Sequence, residues 1–258
     1  MAAKDFAGRA GGALVVGGSG GIGLAVARLL ASRGCDVAVT YRSRQAAAYA
    51  VVDSVRGWGV HGAAYELDVT DADRAAEVVT DVATAFGGLH TLVHAAGPHV
   101  PMVHLSSVPP AQMAEQLGSD AAGFFNLARP ALPHLRETEG SIVAVTTAAT
   151  ARYPVRDGLS SAPKAAVEAM VRALAAEEGR FGVRVNCVGP GMLTDGMAAR
   201  LIDSGELSDE ALAITRGNIP LRRFGTATDI AEAVCFLASD RAGFISGQKL
   251  DVDGGWGV

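Results

Sequence analysis

The chain has 258 residues, 49% of them hydrophobic and 19% charged, with a formal net charge of -5. That composition is enough to bury a sizeable core, leaves no charge-rich or low-complexity tract, and with no Lys/Arg cluster excludes a nucleic-acid or anionic-membrane partner. Three cysteines, Cys35, Cys187 and Cys235, form no CxxC pair and no Cys/His metal spacing, and read as buried reduced thiols.

The start, Met1 to Phe6, has no apolar core behind a basic segment, and no window reaches the roughly 18 apolar residues of a membrane span. A cytoplasmic, soluble protein is expected. In chain order, short apolar runs predict strands over Ala13-Val16, Val37-Tyr41, His61-Glu66, Leu89-Ala95, Ser141-Thr146, Val183-Val188 and Lys249-Val252. Between them lie helical stretches such as Ile22-Arg33, Ala72-Phe86 and Ala165-Phe181, each long enough for a right-handed crossover. No linker breaks the series, so residues 1-258 are expected to form one doubly wound α/β domain. Its seven-stranded parallel sheet is flanked by helices, with ligands beyond the carboxyl ends of the strands.

The first predicted strand runs into Gly17-Gly18-Ser19-Gly20-Gly21-Ile22-Gly23 and then a helix. Gly17 permits a tight turn, Gly21 lets the backbone approach a diphosphate, and Gly23 allows close helix–sheet packing, with the anion over the helix N-terminus. The spacing resembles that of the short-chain dehydrogenase/reductase family, and further motifs extend the resemblance over nearly the whole chain. Asp68-Val69 stands where the family holds the adenine, and His94-Ala95-Ala96-Gly97 stands at its usual Asn-Asn-Ala-Gly. Asn186 to Gly191 is similar to its Pro-Gly loop, and the stretches from Ile219 to Asp229, Phe236 to Asp240 and Asp251 to Gly255 follow its tail pattern. The resemblance implies a single Rossmann-type domain that binds a nicotinamide dinucleotide and assembles as a homo-tetramer, or a dimer, through long helices and the C-terminal strand.

Cofactor choice is argued from charge at the end of the second strand. No acid follows Thr40; the sequence continues Tyr41-Arg42-Ser43-Arg44. A carboxylate there would repel a 2'-phosphate, whereas Arg42 offers it planar donors and fixed charge, so NADP(H) is favoured over NAD, with Arg44 the weaker candidate. Pro190 and Gly191 fall in the family's cofactor loop, and Thr194 stands one residue early for the threonine that holds the carboxamide. Val16 replaces a threonine that ties the glycine turn to a neighbouring loop.

The catalytic set departs from the family. Counting back from Lys164, the usual tyrosine is Ser160 and the usual serine is Thr147, and the usual asparagine is Asp120. A phenol with its pKa lowered by a nearby lysine can protonate an alkoxide, whereas a serine hydroxyl is a far poorer acid. Ser160 is alternatively a helix cap, with Pro163 in the first turn. The 2,4-dienoyl-CoA reductases also lack the tyrosine, and the peroxisomal type is similar to this chain in pairing an aspartate with the lysine. The mitochondrial type has a tyrosine where this chain has Ala149. That resemblance implies a water between Asp120 and Lys164 as proton source, with Thr147 polarising the substrate carbonyl and a conjugated C=C as target.

Tyr153 and His99 are further candidate donors, each balanced by the reading of a solvated loop residue. The segment from Asp195 to Gly217, with Met197, Leu201, Ile202, Leu212 and Ile214 at helical intervals, reads as a cover over an apolar or thioester-borne small-molecule substrate, or as a fixed helical hairpin. Three readings stay open at this point: an NADPH-dependent C=C reductase, a ketoreductase or alcohol dehydrogenase with a substitute donor, and an NADP(H)-binding sensor or scaffold subunit without turnover.

Overall fold

In a computed structural model, which describes residues 4–97, 100–195 and 209–258, seven strands form one parallel sheet. They are β1 (Gly12–Val16), β2 (Val37–Tyr41), β3 (Gly62–Glu66), β4 (Leu89–His94), β5 (Ser141–Val145), β6 (Arg184–Pro190) and β7 (Lys249–Val252), in the order β3-β2-β1-β4-β5-β6-β7. The order reverses between β1 and β4, where Val16 pairs with His94. That reversal opens the crevice beyond the carboxyl ends of the two strands in which ligands of such sheets bind.

The strands are continuous apolar runs because helices cover both faces. One face buries Val15, Val39, Val93, Val143 and Val188 against α1 (Gly21–Ser32), α2 (Gln45–Arg56) and α8 (Ala227–Ala238). The other buries Leu14, Leu92, Ile142 and Val185 against α3 (Ala72–Phe86), α5 (Gly123–Glu137) and α6 (Gly158–Glu178). Arg184 fixes α8 to the sheet, its guanidinium donating to the carbonyls of Leu237, Ala238, Ser239 and Ala242 at the end of that helix.

Two local features set up the site, and neither matches the predicted element bounds. α6 begins at Gly158, seven residues before the predicted Ala165. The Asp157 carbonyl accepts from the Ser160 and Ser161 amides at 3.0 and 2.9 Å, closing the first turn before Pro163 is reached, so the proline removes one bond without breaking the helix. Ser160 is therefore inside the helix, and the reading that it caps the helix is corrected. The second feature lies between α4 (Pro110–Leu117) and α5, where Gly118–Ala122 forms a π-helical turn. Such turns widen the helix by a residue and redirect side chains, and this one carries Asp120 into the interior at 3% exposure.

Candidate active site

The glycine loop leaves β1 with Gly17 at φ +78°, and a Cβ there would stand 2.8 Å from the Ala96 backbone. A Cβ on Gly23 would lie 2.4 Å from the Gly17 carbonyl oxygen, so both positions are closed to any side chain. The Gly17 amide donates to Thr40 Oγ1 at 3.0 Å. The turn therefore keeps a hydroxyl tie despite Val16, supplied from β2.

Helix α1 starts at Gly21 with no side-chain cap on its N-terminal amides and no acid in its first turn. Those free N–H groups and the positive end of the helix dipole suit an anion. Ser19 and Ile22 flank this N-terminus, with Ile22 partly buried on the core. Arg44 lies over the same loop: a Cβ on Gly20 would meet its guanidinium at 2.7 Å. Arg42 stands within electrostatic reach of Asp68, so the weaker of the two predicted arginines is the one the fold lays on the loop. Tyr41 is buried with its hydroxyl accepting from Gln45 Nε2, and Ser43 is exposed.

Around the rest of the crevice, the Asp68 carboxylate accepts from the Thr70 amide and hydroxyl at 2.9 and 2.7 Å, which holds it below its ordinary range. Val69 packs on Gly123, and its carbonyl accepts from Asn126, docking α5 there. Ala95 bonds through its amide to the Val16 carbonyl, and Gly97 is exposed. Gly191 bonds through its amide to Val252, following Pro190 at the end of β6. The Thr194 amide and hydroxyl both donate to the Gly225 carbonyl.

Asp120 and Lys164 meet as the sequence implies: Lys164 Nζ donates to Asp120 Oδ2 at 3.1 Å, with side-chain exposures of 16% and 4%. Lys164 also reaches Ser160 Oγ at 3.4 Å, one helical turn back on α6. Gln116 Nε2 donates to the same Oδ2 at 3.0 Å, leaving Asp120 Oδ1 without a protein partner among the described residues. Thr147 lies two residues beyond the end of β5, its hydroxyl accepting from the Ala149 amide. Tyr153 is 63% exposed and makes no hydrogen bond among the described residues, the arrangement of a solvated loop tyrosine. His99, Met197, Leu201 and Ile202 lie outside the described residues. Of the remaining cover positions on α7 (Asp209–Asn218), Leu212 is buried with Ile219 and Phe224 while Ile214 is 59% exposed, so these two do not share one apolar face.

Three residues join the site that the sequence reading did not single out. Gln116 sits four positions before Asp120. His94, the last residue of β4, lies edge-on to Phe124 with its Nδ1 buried and unpartnered among the described residues. Burial pushes its pKa down to about 4, with Asp120 opposing and Lys164 reinforcing that shift. Asp157, seven residues before Lys164, is half-buried, and desolvation raises its carboxyl above the ordinary range against the pull of Lys164. Helical spacing from Asp120 and Lys164 is the signal that marks the first and third. Among the described residues no group of His, Cys, Asp and Glu is arranged to hold a metal, and no helix is long and apolar enough to cross a membrane.

A family model described as enoyl-(acyl carrier protein) reductase matches residues 16–257. The chain is 36% identical over 244 residues to a 3-oxoacyl-(acyl-carrier-protein) reductase FabG of Staphylococcus aureus, covering 94% of this chain and 96% of that protein. It is 34% identical to a versicolorin reductase of Emericella nidulans, covering 94% of each. In three dimensions it is similar to a short-chain dehydrogenase of Burkholderia cenocepacia in complex with NADP. The TM-score is 0.87, with 32% identity over 96% of this chain and 98% of the other.

Proposed function

The chain belongs to the short-chain dehydrogenase/reductase family and is an NADP-dependent oxidoreductase of it, and we propose that it reduces a conjugated C=C, with Asp120 and Lys164 handling the proton. The observation that carries this reading is the buried Asp120–Lys164 pair, 3.1 Å apart, with Ser160 and no phenol on the lysine.

The glycine turn fits a dinucleotide diphosphate because Gly17 and Gly23, where a Cβ would strike the Ala96 and Gly17 backbone, let the loop close tightly beside the uncapped N-terminus of α1. The α1 N-terminus would hold the diphosphate, Arg44 and Arg42 the 2'-phosphate, Asp68 and Val69 the adenine, and Lys164 the nicotinamide ribose. When bound, the reduced nicotinamide supplies the hydride. Arg44→Ala is expected to weaken NADPH binding about tenfold while leaving NADH binding unchanged, with Arg42→Ala weaker in the same direction, as read by fluorescence titration.

The chain's own residues then move the proton. Asp120 Oδ1, which no described residue occupies, accepts one hydrogen of a water whose oxygen takes a hydrogen from Lys164. That water protonates the carbanionic carbon of the substrate, and Thr147 donates to the substrate carbonyl so that charge developing there is stabilised. A serine hydroxyl cannot replace the phenol as acid, which is why protonation at carbon, through water, suits this set better than direct protonation of an alkoxide. Run in D2O with an α,β-unsaturated acyl thioester, the reaction is expected to leave one carbon-bound deuterium in the saturated product. Absence of any saturated product would overturn the reading.

Ketone reduction is the second reading, favoured by the names of the relatives, 3-oxoacyl-(acyl-carrier-protein) reductase and versicolorin reductase. The proposal includes assembly into a tetramer or dimer, supported by apolar side chains left exposed at Leu117, Phe125 and Leu250 on α4, α5 and the edge strand β7.

A further inference from the structure

We infer that Asp157 is a proton shuttle for this site, the carboxyl that passes protons from solvent to the water held between Lys164 and Asp120. The inference rests on the reductase reading above and names the route by which its proton is replaced.

Every turnover carries one proton out of the site with the product. The groups that hold the water are poorly placed to recover it. Asp120 and Lys164 are bound to each other, Gln116 closes Oδ2 from the other side, and the two side chains are 4% and 16% exposed. A buried pair of this kind needs a titratable group that reaches both the site and solvent.

Asp157 meets that requirement by position. It immediately precedes α6, three residues before Ser160 and seven before Lys164, so the three lie along one stripe of the helix. An aspartate in this position ordinarily spends its carboxylate on the first free amides of the helix. Here the Asp157 backbone carbonyl does that work, accepting from Ser160, Ser161 and the Ser161 hydroxyl. The carboxylate makes no cap bond, and no hydrogen bond or ion pair among the described residues.

The neighbouring charges are committed elsewhere. Arg156, held at φ +74°, donates through Nε to the Met102 carbonyl at 3.1 Å and does not pair with Asp157. Glu168, the next acid along α6, accepts from Thr150 and pairs with Lys249. Lys164 is the cation that acts on Asp157, and burial outweighs it, holding the carboxyl in the protonated form to higher pH than an ordinary aspartic acid. Leu105, itself exposed, packs over Gly158, the residue that follows Asp157.

The step balances without any redox change. The site water gives a proton to the substrate carbanion and is left as hydroxide. The Asp157 carboxylic acid gives its proton to that hydroxide, restoring water. The resulting carboxylate takes a proton from solvent or buffer.

Asp157→Ala and the isosteric Asp157→Asn, measured as full-length enzymes with NADPH and an unsaturated acyl thioester, are expected to lower kcat about 100-fold with KM for both substrates unchanged. Added imidazole buffer is expected to restore kcat of Asp157→Ala in proportion to its concentration, and Asp157→Glu to retain most of the rate. Wild-type kcat in both variants, or a loss that imidazole does not relieve, would overturn the shuttle. The underlying reading fails separately: it falls if Asp120→Ala is fully active, whereas an inactive Asp120→Ala beside a fully active Asp157→Ala keeps the relay and removes only the shuttle.

Discussion

Asp120→Ala is expected to lower kcat by about two to four orders of magnitude, the usual contribution of a positioned proton-transfer group, while NADPH affinity stays within about twofold. The asymmetry follows from where the residue sits. Asp120 rides on the π-helical turn Gly118–Ala122 and contacts Lys164 and Gln116, and none of its bonds reaches the glycine loop or the arginines beyond β2. Removing the carboxylate leaves the Lys164 ammonium with Ser160 as its one hydrogen-bond partner among the described residues and takes away the oxygen that would orient the water. Asp120→Asn keeps the shape and one acceptor and is expected to fall between the two. Titration of NADPH alongside steady-state rates separates a chemical defect from lost binding. Full activity in Asp120→Ala would show that this pair is structural.

The second large effect is expected at Gly23, where alanine should weaken NADPH about 100-fold, equivalent to about 2.7 kcal/mol. The new Cβ would stand 2.4 Å from the Gly17 carbonyl oxygen and 3.0 Å from Gly18 Cα. Both are backbone atoms, so no flexible side chain is there to give way, and the loop itself must move off α1. Because Gly17 also bonds Thr40 and touches Ala96, the displacement spreads to β2 and to the turn after β4. The control is Gly179→Ala, where a Cβ meets nothing within 4 Å and the backbone is already helical; its NADPH affinity should equal that of the wild type. Equal affinity in Gly23→Ala, measured by the same titration, would mean that the diphosphate does not rest on this loop.

Much of the fold is legible in the sequence because both faces of the sheet are covered. Val37–Tyr41, Lys249–Val252 and Ala72–Phe86 have the bounds that apolar runs and helical periodicity predict. The α6 start is not legible, since Pro163 reads as a helix beginning while the Asp157 carbonyl, six residues ahead of it, already closes a turn. The π-helical turn is equally silent, because a one-residue widening leaves no periodic mark in a stretch as short as Gly118–Ala122.

The candidate site divides the same way. Asp120 and Lys164 come together because a family spacing already pairs their positions, and the structure supplies the distance. His94 stands in a motif whose usual residue is asparagine, and only the packing of Phe124 and the unpartnered Nδ1 reveals it as part of the buried polar cluster. The preference for Arg42 over Arg44 follows linear proximity to the strand end, whereas the turn after Tyr41 carries Arg44 back over Gly20.

The proposed mechanism has a carboxylate–ammonium pair do here what a phenol does elsewhere, which selects a conjugated C=C. Its most direct test is NADPH oxidation by the wild-type protein, followed at the nicotinamide absorbance band. Four substrates are compared side by side: an enoyl thioester, a dienoyl thioester, a β-ketoacyl thioester and an activated cyclic ketone. Turnover confined to the two unsaturated thioesters is the predicted result; turnover confined to the ketones would contradict it and assign the proton to another donor.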